Sequence, residues 1–446
     1  MVVLDGGNAF MAAHNNPTAL TESQLDQRRL KAELIAESYQ LVGLDAIALG
    51  DQDWILGTQW LRDMVQRHEL PVVAANLTCQ GERPYPGHKV LNVDGRKLGV
   101  VGVTLGPVQG CEVSDANAAI LAELDAMGEV DIAIGLVPGK TPVELAPILE
   151  PGPPLDLVLD GRGRHSANSP EKMGRSILVS AGTRGKSLGQ ATLTWIDGGS
   201  GWSTPGERDQ VQKRLDTTTQ RLKDTEARLT GETDERRKAA WQRQIQSYKS
   251  HKVQLEQQLR LMGDSVSGTH EVVFTEVSLT AVVADHEPTR VLVDRAKDTM
   301  GEVATSAKLH LAPHVAPHDS VYAGAQACKS CHPTPYAQWA QTPHAAAYQS
   351  LVDQRSHMDD ACWNCHVTGA KQDGGPQTAV EVRGLRDVQC EACHGPARAH
   401  IADPSNATLK PATQVPESTC VNCHDGKMDE GRFDYATYLP KVVHSP

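Results

Sequence analysis

Aromatic side chains are scarce in this 446-residue chain, at 4% of residues with only three Phe. No run of about 18 apolar residues occurs, which argues against a membrane-spanning helix. An excess of positive charge is also missing. Lys and Arg total 43 against 55 Asp and Glu, for a net charge of −12. A duplex-binding protein carries the opposite balance, so nucleic acid is not an expected partner. Cysteine is nearly absent from residues 1–309, where Cys79 and Cys111 stand alone. The length suggests about three units at ~150 residues each, ample for a buried core without a disulfide framework.

The chemistry is concentrated at the other end. Eight of the ten Cys and eleven of the 18 His fall between His310 and the C-terminus. Ahead of them the chain alternates between strand and helix patterns. Met1 to Leu4 is an apolar run entering the turn Asp5-Gly6-Gly7, which reads as a buried strand. Thr21 and Gln24 form a capping-box start for a helix to about Leu41. Asp45–Leu49 and Pro71–Asn76 read as strands, Trp54–His68 as a helix, and Lys89–Val93 with Lys97–Val103 as a hairpin around Asp94-Gly95. Further strand patterns at Ile132–Val137, Leu155–Leu159, Ser176–Ser180 and Gln190–Trp195 predict a layered α/β domain.

From Glu207 to Met262 the pattern changes. Leu215, Leu222 and Leu229 lie seven apart, and Trp241, Ile245, Tyr248, Lys252, Leu255, Leu259 and Met262 follow in steps of four and three. These are seams on two helices joined by a tight turn. They predict an antiparallel helical hairpin that closes on itself. An oligomerisation arm is the alternative, since two helices leave apolar edges uncovered. Strand and helix patterns at 271–283 and 287–309 make the hairpin an insertion in the first domain. Repeated Ala-Pro-His around His310, His314 and His318 reads as an extended linker. The expected organisation is residues 1–204 with 263–309, the inserted hairpin 205–262, the linker 310–320 and a final domain 321–446.

Four Cys-x-x-Cys-His motifs occupy that final domain: Cys328, Cys331 and His332; Cys362, Cys365 and His366; Cys390, Cys393 and His394; Cys420, Cys423 and His424. A Cys-x-x-Cys pair alone also suits zinc or a redox dithiol. The adjoining His points to four haem c groups, with two thiols bonded to each porphyrin and the imidazole on its iron. The segment has few large apolar side chains, so the haems are expected to supply its core. His344, His357, His400 and His444 remain for the opposite faces, with the linker His310, His314 and His318.

Residues 321–446 resemble the tetrahaem cytochromes that accept electrons from hydroxylamine oxidoreductase. The resemblance lies in the first motif with Gln338 to Ala347, in Cys365 to Gly369, and in Val388 to Gly395 with His400. It implies distal iron ligands at His344, His400 and His444. One haem of that family lacks a distal ligand, which by order would be the one on His366. His357 and the linker histidines are the candidates for that place.

Residues 1–309, apart from the hairpin, resemble the two-metal phosphoesterase domain of 5′-nucleotidases. The matching stretches are Val3–Asn8, Leu49–Trp54, Ala74–Leu77, Val101–Thr104, Leu159–Arg164 and Ala181–Lys186. The implied fold is an α-β-β-α layered metallophosphoesterase-like domain, followed by a small, mostly α and irregular tetrahaem cytochrome domain. The family's metal ligands are not matched. Its opening Asp-x-His strand would precede this sequence. Its bridging Asp falls on Asn8, its Asn-His pair on Asp51 and Gln52, a further His near Pro138, and its closing Gly-His-x-His on Gly161 to Arg164. Arg162 and Arg164 offer no lone pair and would repel a cation. The domain therefore reads as a catalytically inactive scaffold, with the two Arg paired to Asp5, Asp51 or Asp53. An anion pocket on the two Arg is the alternative. His165 reads as a loop residue. Cys79 and Cys111 are open to pairing or to remaining buried thiols.

Haem attachment of this type implies maturation outside the cytoplasm, hence the periplasm or cell surface of a bacterium. Met1 to Leu4 has no basic and long apolar segment, so a signal is expected upstream of this numbering. The reading is an electron-transfer protein with redox protein partners and no catalytic residues. The alternative is a redox enzyme acting on a small nitrogen or oxygen species at one five-coordinate haem. A phosphohydrolase regulated by its cytochrome is the weaker third reading.

Overall fold

The computed structural model describes residues 1–11, 20–138, 148, 152–161, 170–173, 175–182, 185–231, 235–261, 269–280, 282–306, 320–426 and 432–444. Arg162, Arg164 and His165, and the linker residues His310, His314 and His318, lie outside the described residues. The chain divides into two compact units, residues 1–13 with 42–284, and residues 14–41 with 285–446.

A six-stranded sheet organises the first unit. Its order is His88–Val93, Arg96–Gly102, Ile132–Val137, Leu157–Asp160, Ser176–Val179 and Glu171–Met173. The four inner strands run parallel and the outer two are antiparallel to their neighbours. Alternate residues feed two cores, as the period of two in a strand requires. Leu98, Val100, Ile132, Ile134, Leu136, Leu157, Ile177 and Val179 pack on one face with Ala46, Ala48, Trp202 and Val272. Val101, Val103, Ala133, Val137, Val158 and Leu178 pack on the other with Ile120 of the Ala116–Met127 helix. A sheet buried on both faces is the layered α/β arrangement expected from the sequence.

The hairpin at Asp94-Gly95 forms with Val93 opposite Arg96. Two other expectations need correction. The helix over 54–68 is broken at Gly57, whose φ of +94° is not helical; a 3-10 turn covers Asp51–Trp54 and the helix covers Thr58–Arg67. Pro71–Asn76 forms only a single bridge at Val72, and the strand is Leu77–Cys79. Cys79 is paired with Cys111 in a disulfide across the short Leu77–Cys79 and Cys111–Val113 sheet, which resolves the alternative left open by the sequence.

The inserted hairpin consists of helices Glu207–Gly231 and Glu235–Leu261. Val211, Thr218, Leu222 and Thr225 of the first, and Ile245 and Leu255 of the second, are buried. Thr218 and Thr225 fill the positions between the heptad leucines. Lys249 pairs with Glu226 across the helices at 3.1 Å.

The second unit contains helices Glu22–Val42 and Glu287–Ser306 and the short helices and 3-10 turns that follow residue 320. The Thr21 capping box forms as predicted: Thr21 N donates to Gln24 Oε1 at 2.9 Å and Gln24 N to Thr21 Oγ1 at 3.3 Å. The expectation that this segment has no core of its own is corrected. Trp363 is fully buried among Tyr322, Tyr348, Leu351, Val367, Val382 and Leu385. One aromatic residue inside the second motif gathers enough aliphatic neighbours for a small core. Among the described residues, no helix is long and apolar enough to cross a membrane.

Candidate haem sites

Each Cys-x-x-Cys-His motif folds as a tight turn. His332 N and His424 N donate to Cys328 O and Cys420 O, both at 2.9 Å; Cys390–His394 is a short helix; His366 N donates to Trp363 O at 3.0 Å. Helical spacing at positions i, i+3 and i+4 puts both sulfurs and the imidazole on one side of the turn. This is why the spacing suits a planar group held at two edges and at its centre. The eight motif cysteines form no disulfides.

Two motif histidines have their ring nitrogens assigned by the backbone. His366 Nδ1 lies 2.6 Å from Ala347 O, and His394 Nδ1 lies 2.5 Å from Ala412 O. A bond from Nδ1–H to a carbonyl fixes the tautomer and leaves Nε2 as the free lone pair, the state required of an iron ligand.

Two of the motif histidines have a second imidazole ring close by. The rings of His344 and His424 are 6.3 Å apart, and those of His394 and His444 are 5.7 Å apart. A metal–imidazole bond is about 2 Å, so two imidazoles on opposite sides of one iron have ring centres about 6 Å apart. Burial, with His424 nearby, holds His344 below the usual histidine range and favours its neutral, ligating form. Gln338 Nε2 donates to Val443 O at 2.7 Å and ties down the chain end that carries His444. Phe433 stacks on the His424 ring at 4.6 Å.

Neither His332 nor His366 faces an imidazole in this way among the described residues. Two expected ligands stand apart from these pairs: His357 and His400 each have a buried Nδ1 with no hydrogen-bond partner. The His357 ring is 6.2 Å from Tyr348. Burial and Arg386 keep His357 below its ordinary range.

The motifs are also brought together in pairs. The thiols of Cys328 and Cys390 lie close enough to shift one another's ionisation, as do those of Cys365 and Cys423. Two buried side chains that the sequence reading missed hold the first pair. Glu391, inside the third motif, accepts from Ala323 N at 3.0 Å, Gly324 N at 2.7 Å and Ala397 N at 2.8 Å. Gln389 accepts from Ala325 N and donates to Gly384 O. Both pull the chain ahead of Cys328 against the third motif. An acidic residue enclosed by two cysteines and a histidine was the only signal available in the sequence.

In the first unit, Asn8 and the turn at Gly50–Gln52 enclose an internal carboxylate. Asp53 is fully buried and accepts from Asn8 N, Phe10 N and Gly50 N, each at 2.9 Å. Gln52 N donates to Asn8 Oδ1 at 3.1 Å. The turn leading to Asn8 packs against Gly161 so closely that a Cβ on Gly6 would lie 2.8 Å from Gly161 N.

Four thiol pairs with adjacent histidines, two of those histidines having a second imidazole ring about 6 Å away, fit covalent haem and define a c-type cytochrome. A family model described as cytochrome c554 and c-prime matches residues 327–395. Cytochrome c-554 of Nitrosomonas europaea is 35% identical over 159 residues, covering 28% of this chain and 68% of that protein. The chain belongs to the cytochrome c554 family: it carries covalently bound haem c, serves electron transfer and works with redox partners.

Several solved structures are similar to part of the chain. They include the sulfate thiohydrolase SoxB of Thermus thermophilus, at 21% identity and TM-score 0.36, covering 43% of this chain and 35% of that one. A 5′-nucleotidase precursor, also of Thermus thermophilus, follows at 19% and 0.36, covering 44% and 42%. The calcineurin-like phosphoesterase YfkN of Bacillus subtilis is 13% identical with TM-score 0.42, covering 68% of this chain and 84% of that one. The chain thus spans less than half the length of the first two.

Proposed function

We propose that the protein is a tetrahaem electron conduit of the bacterial periplasm or cell surface, with residues 1–204 and 263–309 serving as a metal-free pseudo-phosphoesterase scaffold. The observation that carries this reading is the spacing of about 6 Å between the ring centres of His344 and His424 and of His394 and His444. An iron closed on both sides by imidazole has no place for a substrate and exchanges electrons only.

The four haems are held by Cys328 and Cys331, Cys362 and Cys365, Cys390 and Cys393, and Cys420 and Cys423. Their proximal ligands are His332, His366, His394 and His424. Distal ligands are His344 on the His424 iron, His444 on the His394 iron, and His400 on the His332 iron. The unpartnered, buried Nδ1 of His400 supports the last assignment. The Glu391 bonds that tie the chain ahead of Cys328 to the third motif support neighbouring haems at the first and third motifs. An oxidising compartment agrees with the Cys79–Cys111 disulfide.

The front domain is a scaffold on this reading because its ligand positions carry Asn8, Gln52, Arg162 and Arg164. Phosphoesterase activity is absent, and the domain serves docking or assembly. Intact-mass measurement of the purified protein tests the haem count. Four haem masses above the polypeptide agree with it, and any smaller number contradicts it.

A second reading places redox chemistry on a small nitrogen or oxygen species at the His366 haem. It is favoured by one observation: no imidazole ring lies opposite His366 among the described residues. Turnover of nitrite, hydroxylamine or NO by the reduced protein, abolished in His366→Ala, would favour this second reading.

A further inference from the structure

The helix Glu22–Val42 lies nearly 300 residues before the haem motifs, yet it reads the loop that enters the second one. Gln24, Gln27 and Lys31 occupy one helical face at spacings of three and four. Gln27 is 5% exposed. Its Nε2 donates to Met358 O at 3.0 Å, and its Oε1 accepts from Asp360 N at 3.1 Å. One amide thus grips the backbone on both sides of Asp359. Gln24 Nε2 donates to Asp360 Oδ2 at 2.6 Å, and Lys31 pairs with Asp359 at 2.7 Å.

The helix Glu287–Ser306 holds the start of the same loop. Lys297 Nζ donates to Gln354 O at 2.9 Å, and Asp298 pairs with Arg355 at 3.4 Å. Asp359 O in turn receives Cys362 N at 2.9 Å and Trp363 N at 3.2 Å. The grip is therefore passed directly to the first haem-bearing cysteine.

We propose that Gln27 and Lys31 are positioning residues for the second haem, fixing the approach of the Met358–Cys362 loop and the charge beside that haem. This rests on the reading that Cys362 and Cys365 carry a haem. The loop also holds His357, so the helix fixes where that imidazole stands. The cytochrome segment alone would then lack part of what defines one of its four centres. Residues 327–395, which match the family model, do not include Gln27, Lys31 or Lys297. A haem gains an electron on reduction, so a nearby positive charge raises its potential and loss of that charge lowers it.

The test is a spectroelectrochemical titration of the full-length holoprotein, with electron paramagnetic resonance of the oxidised state. The variants are Gln27→Ala, Lys31→Gln and Lys31→Arg. Lys31 is partly exposed, so its variants remain informative if Gln27→Ala does not fold. The second haem's midpoint is assigned by its loss in a Cys362→Ser, Cys365→Ser double variant. In Lys31→Gln that midpoint alone should move downward, and in Lys31→Arg it should return. Gln27→Ala should alter the resonance of the same haem and no other. Four unmoved midpoints, or four moving together, would overturn the proposal. Peptide mass mapping of the parent protein that finds Cys362 and Cys365 without haem would overturn the haem reading instead.

Discussion

The imidazole rings of His344 and His424 are centred 6.3 Å apart, although the two residues are 80 positions apart in sequence. The separation suits one iron between two nitrogens. Substituting His344 by Ala should therefore open one coordination site without detaching a haem, because the thioethers and His424 remain. The expected result is one more CO-reactive haem per molecule than in the parent protein, read by a difference spectrum after reduction. The His444→Ala variant should do the same at the His394 iron.

Glu391 joins the first and third motifs through three backbone donors. It is 3% exposed, so each donor it leaves unsatisfied carries a desolvation cost of about 1–3 kcal/mol. Glu391→Gln places an amide NH2 where a carboxylate oxygen accepted and should destabilise the second unit by at least ~2 kcal/mol. Thermal unfolding followed at the haem absorbance is the measurement, and an unchanged midpoint would refute the assigned role.

Asp53 links stability of the first unit to pH. Burial pushes its carboxyl from the ordinary 3.8 up to about 7, outweighing three backbone donors that favour the charged form. The folded state therefore binds this proton more tightly than the unfolded chain does. The stabilisation is fully present below pH 3.8, declines as pH rises towards 7, and is gone above it. Asp53→Asn should remove this slope and lower stability by about 1–3 kcal/mol, since an amide cannot accept from all three donors. Unfolding midpoints of both proteins across pH 5 to about 8 give the comparison.

The Cys79–Cys111 disulfide closes a separation of 32 residues. Loop-closure entropy assigns such a link about 3–4 kcal/mol. A double Cys79→Ala, Cys111→Ala variant should unfold at correspondingly lower denaturant in its first unit, with the haem spectrum unchanged. A shifted haem spectrum would show that the two units depend on one another.

What the sequence made legible was whatever local spacing encodes. The four haem motifs, the Thr21 cap, the Asp94-Gly95 hairpin and the heptad seam through Leu222 and Leu255 all appear in the structure. Each needs only residues within one turn or one helix of each other. Glu391, Gln27 and Asp53 were not legible as site-building residues. Their partners lie 68, 333 and 45 residues away and are mostly backbone atoms, which carry no side-chain identity. The Trp363 core was missed for a related reason. Composition counts few aromatics but does not show that one of them is enclosed by Val367, Val382 and Leu385.

The central claim is that at least three of four irons are closed on both faces by histidine. A CO difference spectrum of the dithionite-reduced holoprotein tests it most directly. The account predicts that at most one haem in four responds, and that this haem is lost from the response when Cys362 and Cys365 are both replaced by Ser. A response from two or more haems in the parent protein would contradict it.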